Sequence, residues 1–212
     1  MPLITPPEIA VIGVDEKMIF LAGPMKGSAE TDEGLGWQFE AAEIIEAADP
    51  SIWVATPRMR DGFSTETNFE MLDQVRWEAL HLARAAFHGA QLYWYAEQGE
   101  EVERRSSEFV RPYAKTTNKE LFEWWTKKIT HAEIQLVLGA HPSTSNLGYE
   151  RARMDLGMPD IPELATDLEQ LCLMAVDLAQ SSEPIDNFAF WGPDNPYNPD
   201  TNMSGDLSGA VR

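Results

Sequence analysis

A chain of 212 residues with 43% hydrophobic and 10% aromatic content is long enough to bury one substantial core and has the make-up of a globular protein. Its 16 basic residues against 35 acidic ones give a formal charge of −19 and a pI near 4.4, a field that repels duplex nucleic acid and anionic lipid surfaces but still permits a local cationic pocket. The lone cysteine, Cys172 beside Leu171, Leu173 and Met174, excludes an intrachain disulfide or a cysteine-based zinc site and reads as a buried structural thiol.

From Lys17 onward, short apolar runs alternate with longer amphipathic ones, the pattern of βαβ units feeding a mostly parallel sheet. In chain order the spacing predicts a strand over Met18 to Ala22, a helix over Trp37 to Ala47, a strand over Ile52 to Ala55 and a helix over Phe69 to Ala86. A strand over Ala90 to Tyr95, a helix over Thr117 to Ile129, a strand over Glu133 to Leu138 and a helix over Ile161 to Gln180 follow. Right-handed crossovers turn that order into an α/β three-layer sandwich. Residues 1–180 form the expected α/β domain, and 181–212 a C-terminal extension rich in Pro, Asn, Asp and Gly. Phe188, Phe190, Trp191 and Tyr197 give that extension apolar anchors, which suggests docking on a neighbouring subunit. Residues 97–112, with Glu100, Glu101, Glu103 and Glu108, read as a solvated loop or lid. No basic flank precedes a long apolar run, and no window reaches the roughly 18 apolar residues that span a bilayer, so the chain is expected to remain cytoplasmic.

Ligands of open parallel sheets bind beyond the carboxyl ends of the strands, which directs attention to four loops. After the first strand comes Gly23-Pro24-Met25, where the missing Cβ of Gly23 admits a ligand to the backbone, or simply makes a turn. After the second comes Thr56-Pro57-Arg58-Met59-Arg60, whose cations suit a carboxylate, a phosphate or a nucleobase carbonyl, or a surface ion pair. Thr117-Asn118-Lys119-Glu120 opens a helix and fits a capping box, in which Glu120 would fold back onto its own cap. As a functional group, a carboxylate in a first helical turn near Lys115 and Lys119 is held ionised, as a nucleophile must be. His81, His88, His131 and His141 lack metal-ligand spacing, and Ser143, Thr144 and Ser145 lie in no nucleophile elbow, so neither a metal nor a cofactor is expected.

The order Ile19-Phe20-Leu21-Ala22-Gly23-Pro24, Trp37, Pro57-Arg58, Trp77-Glu78 with His81-Leu82, Leu92-Tyr93-Trp94, then Thr116-Thr117 with Glu120-Leu121 resembles the nucleoside 2-deoxyribosyltransferase-like family over residues 17 to 140. The resemblance implies a flavodoxin-like, five-stranded parallel sheet and cleavage of the N-glycosidic bond of a deoxynucleoside or deoxynucleotide. In that chemistry a glutamate attacks the anomeric carbon, and a second nucleobase or water then takes the sugar. Glu120 matches the nucleophile; Gly23, Pro24 and Met25 match the sugar loop; Arg58 would approach the base, Trp94 or Tyr95 would stack on it, and Thr117 lies beside the nucleophile. It also implies a homo-oligomer in which a neighbour's C-terminal segment completes the site. The family's usual aspartate before the third strand is replaced by Ala85-Ala86-Phe87-His88-Gly89, which leaves protonation of the leaving base to Glu78, Asp73 or His88. The alternative is a catalytically silent nucleotide-binding or interaction protein on the same scaffold.

Overall fold

The computed structural model describes residues 3–10, 12–13, 15–24, 36–58, 71–97, 114–144, 147–155 and 163–183. Apolar runs too short for helices form the strands β1 (Leu3–Ile4), β2 (Met18–Ala22), β3 (Trp53–Ala55), β4 (Gly89–Tyr95) and β5 (Leu136–Ala140). All pairings among these strands are parallel, in the spatial order β1-β3-β2-β4-β5. Phe20 of β2 aligns with Ala55 on one side and Gln91 on the other, and Leu92 of β4 aligns with Val137. The chain steps from β2 out to β3 and returns across β2 to β4, so the crevice where ligands bind in such sheets lies at the carboxyl ends of β2 and β4.

Helices α1 (Trp37–Ala48) and α5 (Leu168–Ser181) cover one face; α2 (Met71–His88), α3 (Lys115–Thr130) and α4 (Gly148–Asp155) are associated with the other. Because side chains alternate along a strand, Ile19, Leu21, Leu92 and Val137 join the core under α1 and α5, while Phe20, Tyr93, Tyr95 and Leu138 join the one under α2 and α3. Each fully buried Leu, Ile or Phe contributes about 1.5–3 kcal/mol. This is the expected α/β three-layer sandwich with a flavodoxin-like parallel sheet. Cys172 lies in the first core, and burial, then the charges of Glu40, Asp167 and Glu169, push its thiol up to about 12.

The strand expected over Glu133 to Leu138 is shifted to Leu136–Ala140; three further differences from the sequence reading have local causes. The edge strand β1 precedes the region where alternation is legible, and its two residues carry no period. Helix α4 is a polar eight-residue piece in a stretch for which the sequence reading predicted no element. The last helix begins at Leu168 rather than Ile161, because Ala165 first pairs alongside β5: Ala140 N–H donates to its carbonyl at 2.9 Å, and its N–H donates to the Leu138 carbonyl at 3.1 Å. Asp167 then caps α5 by accepting from the Gln170 N–H at 2.9 Å. No helix among the described residues is long and apolar enough to cross a membrane.

Candidate functional site

Helices that cross a parallel sheet run antiparallel to its strands. The first turns of α2 and the first turns of α3 therefore both lie at the carboxyl edge. Glu78 is in the second turn of α2 and Glu120 in the second turn of α3, and their carboxyl groups are hydrogen-bonded to each other. Gln74, one turn before Glu78 on the same face, donates Nε2 to Glu78 Oε1 at 2.7 Å. Each glutamate is half-buried. Burial, the negative charges of Glu78 and Glu123, and the hydrogen bond to Glu78 push Glu120 up to about 8. Burial likewise raises Glu78, against the lowering effect of its hydrogen bonds with Gln74 and Glu120. Two carboxyls in contact at a desolvated site cannot both ionise at neutral pH, so the pair holds one proton between them.

The expectation that Glu120 sits in a first turn and is held ionised is corrected by where α3 begins. Ala114, in the left-handed region at φ 53°, is the N-cap, and no side chain caps the helix. Thr117 is a buried residue inside the first turn and not a cap, so no capping box forms and Glu120 faces inward. Lys115 and Lys119 lie on the exposed side, where water screens them. The start of α3 is anchored through Asn118: its N–H donates to the Ala114 carbonyl at 2.9 Å, and its Oδ1 accepts from the Tyr95 hydroxyl at 2.5 Å. Tyr95, the last residue of β4, thus ties the strand to the first turn of α3, just ahead of Glu120. Tyr93, two residues earlier on the same face, is fully buried, and burial, then the charge of Glu120, holds its phenol well above the usual range.

The remaining sequence candidates are only partly brought together. Gly23 follows β2 directly, where a Cβ would overlap both the Trp37 ring and the Trp94 carbonyl oxygen, so close packing already requires glycine there. Trp37 Nε1 donates to the Pro24 carbonyl at 3.3 Å, which fixes the exit from the strand. Trp94 is 4% exposed and packs in the core under α1 and α5, on the face opposite Tyr95 and the carboxyl pair. Arg58 lies against the start of α1, where its Nη1 reaches Gln38 Oε1 at 3.4 Å and its guanidinium occupies the space a Cβ on Gly36 would need. Gly36 is the α1 N-cap at φ 76°. Met25, Arg60, Ser145 and the chain from 184 onward lie outside the described residues.

Of the other candidates for protonating a leaving group, His88 closes α2 ten residues after Glu78, about 15 Å along the helix axis and at the opposite edge of the sheet. Asp73 is a solvated partner of Arg76 at 3.6 Å, with its side chain 47% exposed. His81 stacks on Trp77 at 4.1 Å between ring centroids, and its Nδ1 lies 2.7 Å from the Trp77 carbonyl. Burial lowers His81 to about 4, which keeps it neutral.

A second polar chain borders the carboxyl edge. Ser143 Oγ lies 2.7 Å from His141 Nδ1 and donates to Glu97 Oε1 at 3.3 Å, and Thr144 Oγ1 donates to the Tyr95 carbonyl at 3.1 Å. The carboxylate meets the serine and not the histidine, so the order is not that of a nucleophilic triad. Sequence reasoning missed Asn118 and Gln74. Only the four-residue spacing from Gln74 to Glu78 signalled one of them. Among the described residues, no group of three or more His, Cys, Asp or Glu side chains is placed to hold a metal ion. Comparison of the chain with family models, with curated proteins and with solved structures finds no match.

Proposed function

We propose that this chain cleaves the N-glycosidic bond of a 2-deoxynucleoside, or of its monophosphate, and passes the sugar to a second nucleobase or to water through an ester on Glu120. The observation that carries this reading is the hydrogen-bonded Glu78–Glu120 pair at the carboxyl edge of the sheet. Carboxyls that flank a sugar and act by double displacement stand about 5 Å apart, whereas those that activate a water directly stand about 6.5–9.5 Å apart. A pair in hydrogen-bond contact leaves no room for a water between the carboxyls, which favours the first arrangement over the second. Ionised Glu120 would stabilise the oxocarbenium-like transition state and then bond to the anomeric carbon. In the same reading the aromatic residues of the C-terminal extension complete the site of a neighbouring subunit in a homo-oligomer.

The test is to incubate the protein with deoxynucleosides and a free acceptor base, follow base exchange and base release, and weigh the intact protein. A deoxyribosyl adduct on the wild type that is absent from Glu120→Gln is the expected result. An adduct that persists in Glu120→Gln overturns the assignment. One observation favours a second reading: Glu120 pushed up to about 8 is mostly un-ionised at neutral pH, as suits a group that hydrogen-bonds a ligand without attacking it. A wild type that binds deoxynucleosides but cleaves none would establish that binding protein instead.

A further inference from the structure

We infer that Glu78 is the acid–base catalyst of this site, holding the proton that it shares with Glu120 and delivering it to the departing nucleobase. The inference rests on the deoxyribosyl-transfer reading and supplies the proton donor it lacks. Of the three side chains that the sequence left in contention, His88 stands at the far edge of the sheet and Asp73 is turned to solvent beside Arg76. Glu78 alone is bonded to the nucleophile.

The groups around the pair come from three elements. Helix α2 supplies Gln74, whose Nε2 fixes Glu78 Oε1, and, one turn beyond Glu78, the neutral His81 engaged with Trp77. Helix α3 supplies Glu123, which adds negative charge, and β4 supplies the phenols of Tyr93 and Tyr95. Among these groups no cation neutralises the pair, and so it retains one proton.

That single proton balances the chemistry. In the resting state the two carboxyls share it, and one of them is the anion. When substrate binds, Glu78 holds the proton and Glu120 is ionised. The Glu120 oxygen then bonds to C1′ as the C1′–N bond breaks, and Glu78 gives its proton to the leaving nitrogen. In the second half, Glu78 as carboxylate takes the proton of the incoming base or water, whose nitrogen or oxygen displaces the Glu120 ester. One carboxylate is thus always free to attack while its neighbour holds the proton.

The experiment compares wild type, Glu78→Gln and Glu78→Asp on two leaving groups: a natural deoxynucleoside, whose base must be protonated to leave, and nitrophenyl deoxyriboside, whose nitrophenolate leaves without a proton. Loss of a general acid is expected to slow Glu78→Gln by roughly a hundredfold to ten-thousandfold on the deoxynucleoside. The nitrophenolate burst should stay within a few-fold of wild type. Glu78→Asp keeps an acid and should restore part of the deoxynucleoside rate. The alkaline limb of the wild-type kcat/KM profile should disappear in Glu78→Gln. Equal slowing on both leaving groups, or an alkaline limb that survives, overturns the role of Glu78. A wild type inert on both substrates overturns instead the transfer reading on which it rests. Thermal melts of the three proteins identify a loss of rate that comes from unfolding, in which case the Glu78→Asp comparison decides.

Discussion

The chemistry of the carboxyl edge follows from the direction in which one side chain turns. Glu120 is one residue of a four-residue series that reads as a cap, and its inward turn places it against Glu78 instead. Its folded-state pKa of about 8 lies above the ordinary 4.5, so the native protein binds a proton that the unfolded chain has released across that interval. The resulting contribution to stability is complete below pH 4.5 and is lost as pH rises through 8. Glu120→Gln removes that dependence while keeping a donor for Glu78. The variant is therefore expected to melt above the wild type at pH 8, by a margin that shrinks toward pH 5. A melting difference that does not change between those two pH values would refute the raised pKa.

Elements were legible in the sequence where burial imposed a period. β2, α1, β4 and the apolar stripe of α5 each present enough consecutive positions for the two-residue or 3.6-residue repeat to show. β1 offers two residues, and α4 is mostly polar, so neither carries a repeat. The site was legible in part for a related reason. Loops at the carboxyl edge were indicated by topology, and Glu120 and Glu78 lie in elements that meet there. Their contact depends on the rotation of two helices about their axes, set by packing of Trp77, Leu121 and Trp125 that no short-range pattern encodes. Trp94 shows the same limit, since the sequence placed it at a strand end but not on a face. The start of α5 lends itself to a direct test. Asp167→Ala removes the acceptor for the Gln170 N–H and should cost about 1 kcal/mol. Chemical denaturation should show a lower midpoint with an unchanged slope; an unchanged midpoint would mean that water replaces the cap at no cost.

For the whole molecule, buried groups titrate in opposite senses. His81, lowered to about 4 from 6.5, contributes stability that is present above pH 6.5 and is lost as pH falls toward 4. Glu120 works the other way from 4.5 to 8. Between pH 4.5 and 6.5 the two slopes offset, and above 6.5 only the loss remains. The charge of −19 adds self-repulsion that salt screens. The melting temperature is therefore expected to be highest in mild acid, to fall toward pH 8, and to recover at pH 8 with added salt. A melting temperature that climbs steadily from pH 5.5 to 8 would contradict this balance.

The end of α5 fixes where the rest of the chain departs. Lys17, just before β2, donates Nζ to the backbone carbonyl and to Oγ of the buried Ser182. This clasp lies at the amino edge of the sheet, opposite the carboxyl pair. A deletion that begins after Glu183 leaves this clasp whole, whereas one that begins at Ser182 removes the partner of Lys17 and frees its ammonium.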